Sequence, residues 1–183
     1  MAKFIALLRG INVSGKNKIR MVELQSVFDK LELLNPVTYL QSGNIVFESS
    51  PKLNHETTAN TIESAIQKTF GHDVAVLVIS GKDINQIFNN NPFIINEQTD
   101  TSACYVTFLY EKPGQEYLNA LKSPEKETGR FKVVSLTVYV HCPNGYGRTK
   151  INNQFFERKL KVPATTRNWK TVTALNELST NAI

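Results

Sequence analysis

At 183 residues, 41% hydrophobic and 20% charged, the chain has apolar side chains enough for a real core in one domain or two small ones, and its charge is too moderate for global disorder. Its net charge of +5 is unevenly spread: segments 9–20 and 141–170 together hold eleven basic residues against the single acid Glu157, so the remainder is acidic. No apolar run approaches the roughly 20 residues of a membrane span, and the start lacks the length and small-residue cleavage site of a signal peptide, so a cytoplasmic protein with no membrane partner is expected.

The apolar run Phe4–Leu8 reads as a buried strand ending at Arg9. Gly10, Asn12, Ser14, Gly15 and Asn17 then mark a loop that reaches Arg20. Met21, Leu24, Phe28, Leu31 and Leu34 follow helical spacing, and Asn35-Pro36 is expected to stop that helix. Strands are predicted at 37–41 and 45–48, joined through the hairpin signal Ser42-Gly43-Asn44. A helix over His55–Phe70, stopped by Gly71, leads into a buried strand at 74–79. Ser80 and Asp83 suit the start of a short helix carrying Ile84, Ile87 and Phe88, which Asn89-Asn90-Asn91-Pro92 closes.

The order then repeats. A strand is predicted over 103–110, a helix over 113–122, strands over 132–134 and 136–142, a turn at 143–147, a helix over 149–160 and a short strand at 164–166. A last helix over 168–179 turns Val172, Leu175 and Leu178 inward. Cys104 and Cys142 fall in strand-like apolar runs outside any CxxC or metal-ligand spacing, so both are expected to be buried free thiols. The resulting expectation is an α+β chain of two ferredoxin-like βαββαβ halves with antiparallel sheets, plus a C-terminal helix. The first half is placed at 1–80, a connecting helix and loop at 81–102, and the second half with the added helix at 103–183.

That topology brings distant loops together. The end of the first strand and the hairpin between the second and third lie at one end of the sheet, so Gly10–Arg20 and Ser42–Asn44 should be neighbours. In the second half, the turn after the third strand and the exit from the fourth share an end, which should bring Arg148 and Lys150 near Arg167 and Asn168.

The run Leu8-Arg9-Gly10-Ile11-Asn12-Val13, followed by Gly15-Lys16-Asn17-Lys18, resembles the opening of domain-of-unknown-function family 1697. Residues 38–47 (Thr-Tyr-Leu-Gln-Ser-Gly-Asn-Ile-Val-Phe) are similar to its second block, and Asn91-Pro92-Phe93 and 165–172 to later ones. Ser14 departs from the second glycine expected there. The resemblance implies two ferredoxin-like halves and names no activity.

The chemistry readable from the loops is anion binding. Glycines let backbone N–H groups approach a ligand, a following helix start adds a favourable field, and Arg9, Lys16, Lys18 and Arg20 add full charge. Asn12, Gln41, Ser42 and Asn44 complete the first candidate site; Arg148, Lys150, Arg167 and Asn168 form the second, with Thr149 as a possible cap and Trp169 as either a stacking ring or a core residue. Each also has a plain structural role open to it: glycines permit turns, and asparagines satisfy loop backbone. The Walker motif, GxGxxG, HExxH and GxSxG are all missing, and no aspartate falls in either cluster, so no metal or cofactor is expected and the catalytic residues stay unassigned. His141 is the one histidine beside a cluster. The expected partner is a phosphate-containing ligand, with nucleic acid, RNA above DNA, as the first reading. The alternatives are an enzyme or binding protein for a small phosphorylated or carboxylated metabolite, and a protein-interaction scaffold. Tyr105 and Phe108 are an odd number apart and cannot share a sheet face, which argues against stacking bases across the sheet.

Overall fold

The computed structural model describes residues 1–13, 15–94, 100–125 and 127–180. Ser14, the departure from the family pattern, lies outside them. Two compact units divide the chain: Met1–Gln86 with Thr173–Ile183, and Ile87–Val172.

The first unit runs β1 (Ala2–Leu8), α1 (Met21–Lys30), β2 (Leu34–Thr38), β3 (Asn44–Ser49), α2 (His55–Phe70) and β4 (Val76–Ser80), with α3 (Gly81–Asn89) following. Its sheet has the order β2-β3-β1-β4, with every pair antiparallel. The second unit repeats this with β5 (Cys104–Leu109), α4 (Gln115–Ala120), β6 (Arg130–Val134), β7 (Thr137–His141), α5 (Asn153–Leu160) and β8 (Ala164–Asn168), in the order β6-β7-β5-β8. The C-terminal helix α6 spans Trp169–Thr180. The α+β architecture of two similar halves is therefore the observed one. Among the described residues no helix is long and apolar enough to cross a membrane.

Alternation along the strands builds each core. Phe4, Ala6 and Leu8 of β1 join Ile45 and Phe47 of β3 and Val76 and Val78 of β4 against Leu24 and Phe28 of α1 and Ile62 and Ile66 of α2. Ile5 and Leu7, on the other face of β1, are buried as well, which is why this central strand is an unbroken apolar run. In the second unit, Leu109, Val138, Val140 and Ala164 pack on Phe155, Phe156 and Leu160 of α5.

Several element boundaries depart from the sequence reading, three of them in helices by more than one residue. Helix α1 stops at Lys30, and Leu34 opens β2 instead of continuing the helix. Asn35-Pro36 lies inside that strand. Proline is tolerated there because β2 is a sheet edge and its register with β3 shifts between Leu34 and Val37. Helix α4 is only six residues long. Helix α5 starts at Asn153, not Thr149, because the Asn152 side chain caps it by accepting from Phe155 N at 3.1 Å.

Candidate functional site

The loop after β1 stands on two buried residues, Ile11 and Ile19, at either end of its exposed stretch. Asn12 fastens them. Its backbone is left-handed at φ 53°, and its Nδ2 donates to the carbonyls of Ile19 at 2.9 Å and Gln41 at 3.0 Å. Its Oδ1 accepts from Ile19 N at 2.9 Å. Asn17 Nδ2 donates to Gly10 O at 3.2 Å, and Lys16 N to Val13 O at 3.0 Å. Through Asn12 the structure brings the loop against the segment 39–44, as the topology requires.

That hairpin is equally constrained. Leu8 N donates to Gly43 O at 2.8 Å. Gly43 itself has φ +78°, and a Cβ placed on it would come within 2.7 Å of Leu8 Cβ and 3.0 Å of Ile11, so no other residue fits without movement. The fully buried Asn44 spends its Nδ2 on Tyr39 O at 2.9 Å and Ser42 Oγ at 3.0 Å. Asn12, Asn44 and Ser42 are thus bonded within the loops. Arg9, Lys16, Lys18, Arg20 and the Gln41 side chain are exposed around them. Arg20 Nε lies 3.7 Å from Glu23 Oε1, a solvent-exposed pair that contributes little.

In the second unit, β5 pairs Cys104 with His141 and Tyr105 with Asn168, so the ends of β7 and β8 do lie together. The side chains then diverge. Thr166 Oγ1 reaches Asn153 at 3.0 Å and so faces α5; its neighbour Arg167 points to the opposite face. Arg167 is 7% exposed and donates from Nη1 to Thr165 Oγ1 at 2.7 Å and Thr166 O at 3.0 Å. Burial lowers its pKa to about 10, against a smaller opposing effect of Tyr110, so it stays charged at neutral pH. The expected grouping of Arg167 with Arg148 and Lys150 is corrected accordingly: strand alternation puts it on the other side of the sheet. Asn168 Oδ1 accepts from Thr171 N at 2.9 Å and caps α6, while Trp169 is buried and stacked on Phe88 with ring centroids 5.4 Å apart.

The turn holding Arg148 and Lys150 does not sit at a helix start. Gly145 takes φ +84°, and Tyr146–Arg148 make one 3-10 turn. Tyr146 lies against Tyr105 with centroids 4.6 Å apart and accepts from Asn153 N at 2.8 Å. Thr149 is no cap: its hydroxyl donates to Glu127 Oε2 at 3.2 Å. The same oxygen accepts from Lys150 N at 2.6 Å, and Oε1 accepts from Gly129 N at 2.8 Å. These backbone N–H groups hold the Glu127 carboxyl below its ordinary range. A carboxylate of the chain itself thus occupies the cradle. The sequence carried no signal for this, because Glu127 lies 23 residues before Lys150.

Sequence reasoning also missed a group on the edge of this sheet. Phe93 lies 5.9 Å from the His141 ring and under the Arg130 guanidinium at 5.4 Å. His141 Nδ1 and Asn91 Nδ2 are buried without hydrogen-bond partners among the described residues. The two cysteines are buried and free, and burial raises both thiol pKa values. Among the described residues, no group of three or more His, Cys, Asp or Glu could hold a metal ion.

A family model described as a protein of unknown function, DUF1697, matches residues 1–139. No curated protein matches the chain. Among solved structures, the conserved bacterial protein SP0830 from Streptococcus pneumoniae is similar, with 22% sequence identity, a TM-score of 0.73, and coverage of 97% of this chain and 98% of that one. A likeness at that identity concerns the fold.

Proposed function

Because the chain belongs to the DUF1697 family, whose description carries no activity, we propose from the geometry of its loops that it binds the phosphate backbone of single-stranded nucleic acid, RNA above DNA. The observation that carries this reading is the set of exposed cations Lys16, Lys18 and Arg20 on a loop whose backbone is pinned by Asn12 and two buried isoleucines. Anchored ends reduce the entropy a loop loses when a ligand arrives, so less of the binding energy goes into ordering the protein. Side chains that project outward suit a strand passing over the surface. The alternative of a small metabolite in a closed pocket that includes Asn12, Ser42 and Asn44 with Arg9, Lys16, Gln41 and Arg167 loses support, since the first three side chains bond within the loops.

Fluorescence anisotropy with labelled single-stranded RNA across a salt series tests the reading, with the triple variant K16A/K18A/R20A beside the native chain. Each lost contact removes about 0.7 from the slope of log K against log salt on single strands, so the variant should flatten the plot by about 2. An unchanged slope, or no native binding at low salt, overturns it.

A further inference from the structure

The turn after β7 and the segment before β6 line a cavity of about 240 Å³, with Glu127, Thr128, Asn144, Arg148, Thr149 and Lys150 around it. Glu127 Oε2 is held there by Lys150 N and the Thr149 hydroxyl, and Oε1 accepts from Gly129 N beside the lining residues. We infer that this cavity is an oxyanion site for a phosphate monoester, and that Glu127 is a tethered occupant with which the ligand competes.

Two backbone N–H groups and a hydroxyl, all already converging on one anionic group, are the donors that a tetrahedral phosphate needs. The charge is larger than one carboxylate balances, because Arg148 and Lys150 both line the cavity. Among the described lining residues the charges sum to +1 with Glu127 in place and to +2 without it, which a phosphate dianion neutralises. The Lys150 ammonium reaches the Glu125 carbonyl at 3.3 Å, and Asn144 Nδ2 donates to Thr128 Oγ1 at 2.9 Å, so the segment carrying Glu127 is fastened at points other than the carboxylate. The carboxylate can therefore leave by side-chain rotation while its backbone stays in place. A tethered competitor is present at an effective concentration on the order of millimolar, which sets how strongly a free ligand must bind to replace it. Cys142 lines the same cavity but is buried with its thiol pKa raised, so the site binds and offers no thiolate nucleophile. This inference concerns the second unit and is independent of RNA binding by the loop after β1.

The test is titration of the full chain with inorganic phosphate at constant ionic strength, read by the amide ¹H–¹⁵N shifts of Gly129 and Lys150, with acetate as the carboxylate comparison. In E127A the two amides should shift saturably with phosphate, at least about tenfold tighter than in the native chain and tighter than with acetate, as removal of a tethered competitor requires. Adding R148A to E127A should abolish most of that gain. E127Q keeps the side-chain size and guards against misfolding; its two amides should respond to phosphate as well. The inference is overturned by a folded E127A or E127Q whose Gly129 and Lys150 amides do not respond to phosphate, by acetate binding as tightly as phosphate, or by a gain that survives loss of Arg148.

Discussion

Gly43→Ala separates two contributions that glycine makes to the hairpin beside the basic loop. The first is conformational: at φ +78° an alanine adopts a left-handed backbone, at about 1–2 kcal/mol. The second is steric. The added Cβ would stand 2.7 Å from Leu8 Cβ, an atom fixed to the backbone of a fully buried residue in the central strand, so it cannot rotate aside. Forcing such a core apart costs about 1–3 kcal/mol, which brings the total to about 3 kcal/mol. Gly10→Ala is the control: φ is +68° but nothing lies within 4 Å of its added Cβ, so only the conformational cost of about 1 kcal/mol applies. For a chain of this size, the gap of about 2 kcal/mol should appear as about 4–8 °C of additional Tm loss in G43A, read by far-UV circular dichroism. Equal Tm losses in the two variants would refute the reasoning, because the close approach of Gly43 to Leu8 would then cost nothing.

Asn12→Ala should lower stability by about 2 kcal/mol, from lost partners of the Ile19 and Gln41 backbone and an unfavourable left-handed alanine, and should weaken RNA binding although Asn12 carries no charge; urea unfolding and anisotropy check the two effects. The Glu127 carboxylate has a depressed pKa in the folded chain, so its stabilisation is present above its ordinary value of 4.5 and is lost as pH falls through the lower folded value. The Tm difference between the native chain and E127Q should accordingly be largest near neutral pH and shrink as the pH falls below 4.5. The buried thiols of Cys104 and Cys142 should resist a thiol-specific disulfide reagent in the native chain at mildly alkaline pH and react fully in urea; rapid labelling of the native chain would contradict their burial.

Legibility in the sequence followed how local each signal was. Helix α2 was readable to the residue, because Asn54 caps its start by accepting from Thr57 N and Gly71 closes it in the left-handed conformation. The end of α1 was not readable: Leu31 and Leu34 keep helical spacing, while pairing with β3, a tertiary event, takes Leu34 into a strand. The neighbourhood of the first loop and the hairpin followed from topology alone. What its residues do there did not. Asn12 and Asn44 carry the donors expected of ligand groups, yet left-handed turns expose carbonyls that need donors nearby, and these side chains supply them. Arg167 shows the same limit, since a short polar stretch before a helix says little about which face of a strand is buried.

The two halves share a strand order but are elaborated at opposite ends. In the first, the connection between the opening strand and its helix is long, Arg9–Arg20, while that from β3 to α2 is only Ser50–Asn54. In the second, the connection from β5 to α4 is Tyr110–Gly114, and the long one is Cys142–Asn152, between β7 and α5. The first long connection follows the C-terminal end of the central strand β1; the second lies beside the N-terminal end of β5, where Cys104 pairs with His141. Neither basic loop therefore has a counterpart in the other half, and the two cannot be repeats of a single site. Their local chemistry differs in the same sense. The first leaves its cations exposed around a self-bonded backbone, whereas the second directs the Lys150 N–H and the Thr149 hydroxyl at the Glu127 carboxylate. An exposed surface of the first kind suits a chain of phosphates, and a compact set of donors of the second kind suits one, so a single ligand class would have to meet the two loops through different contacts.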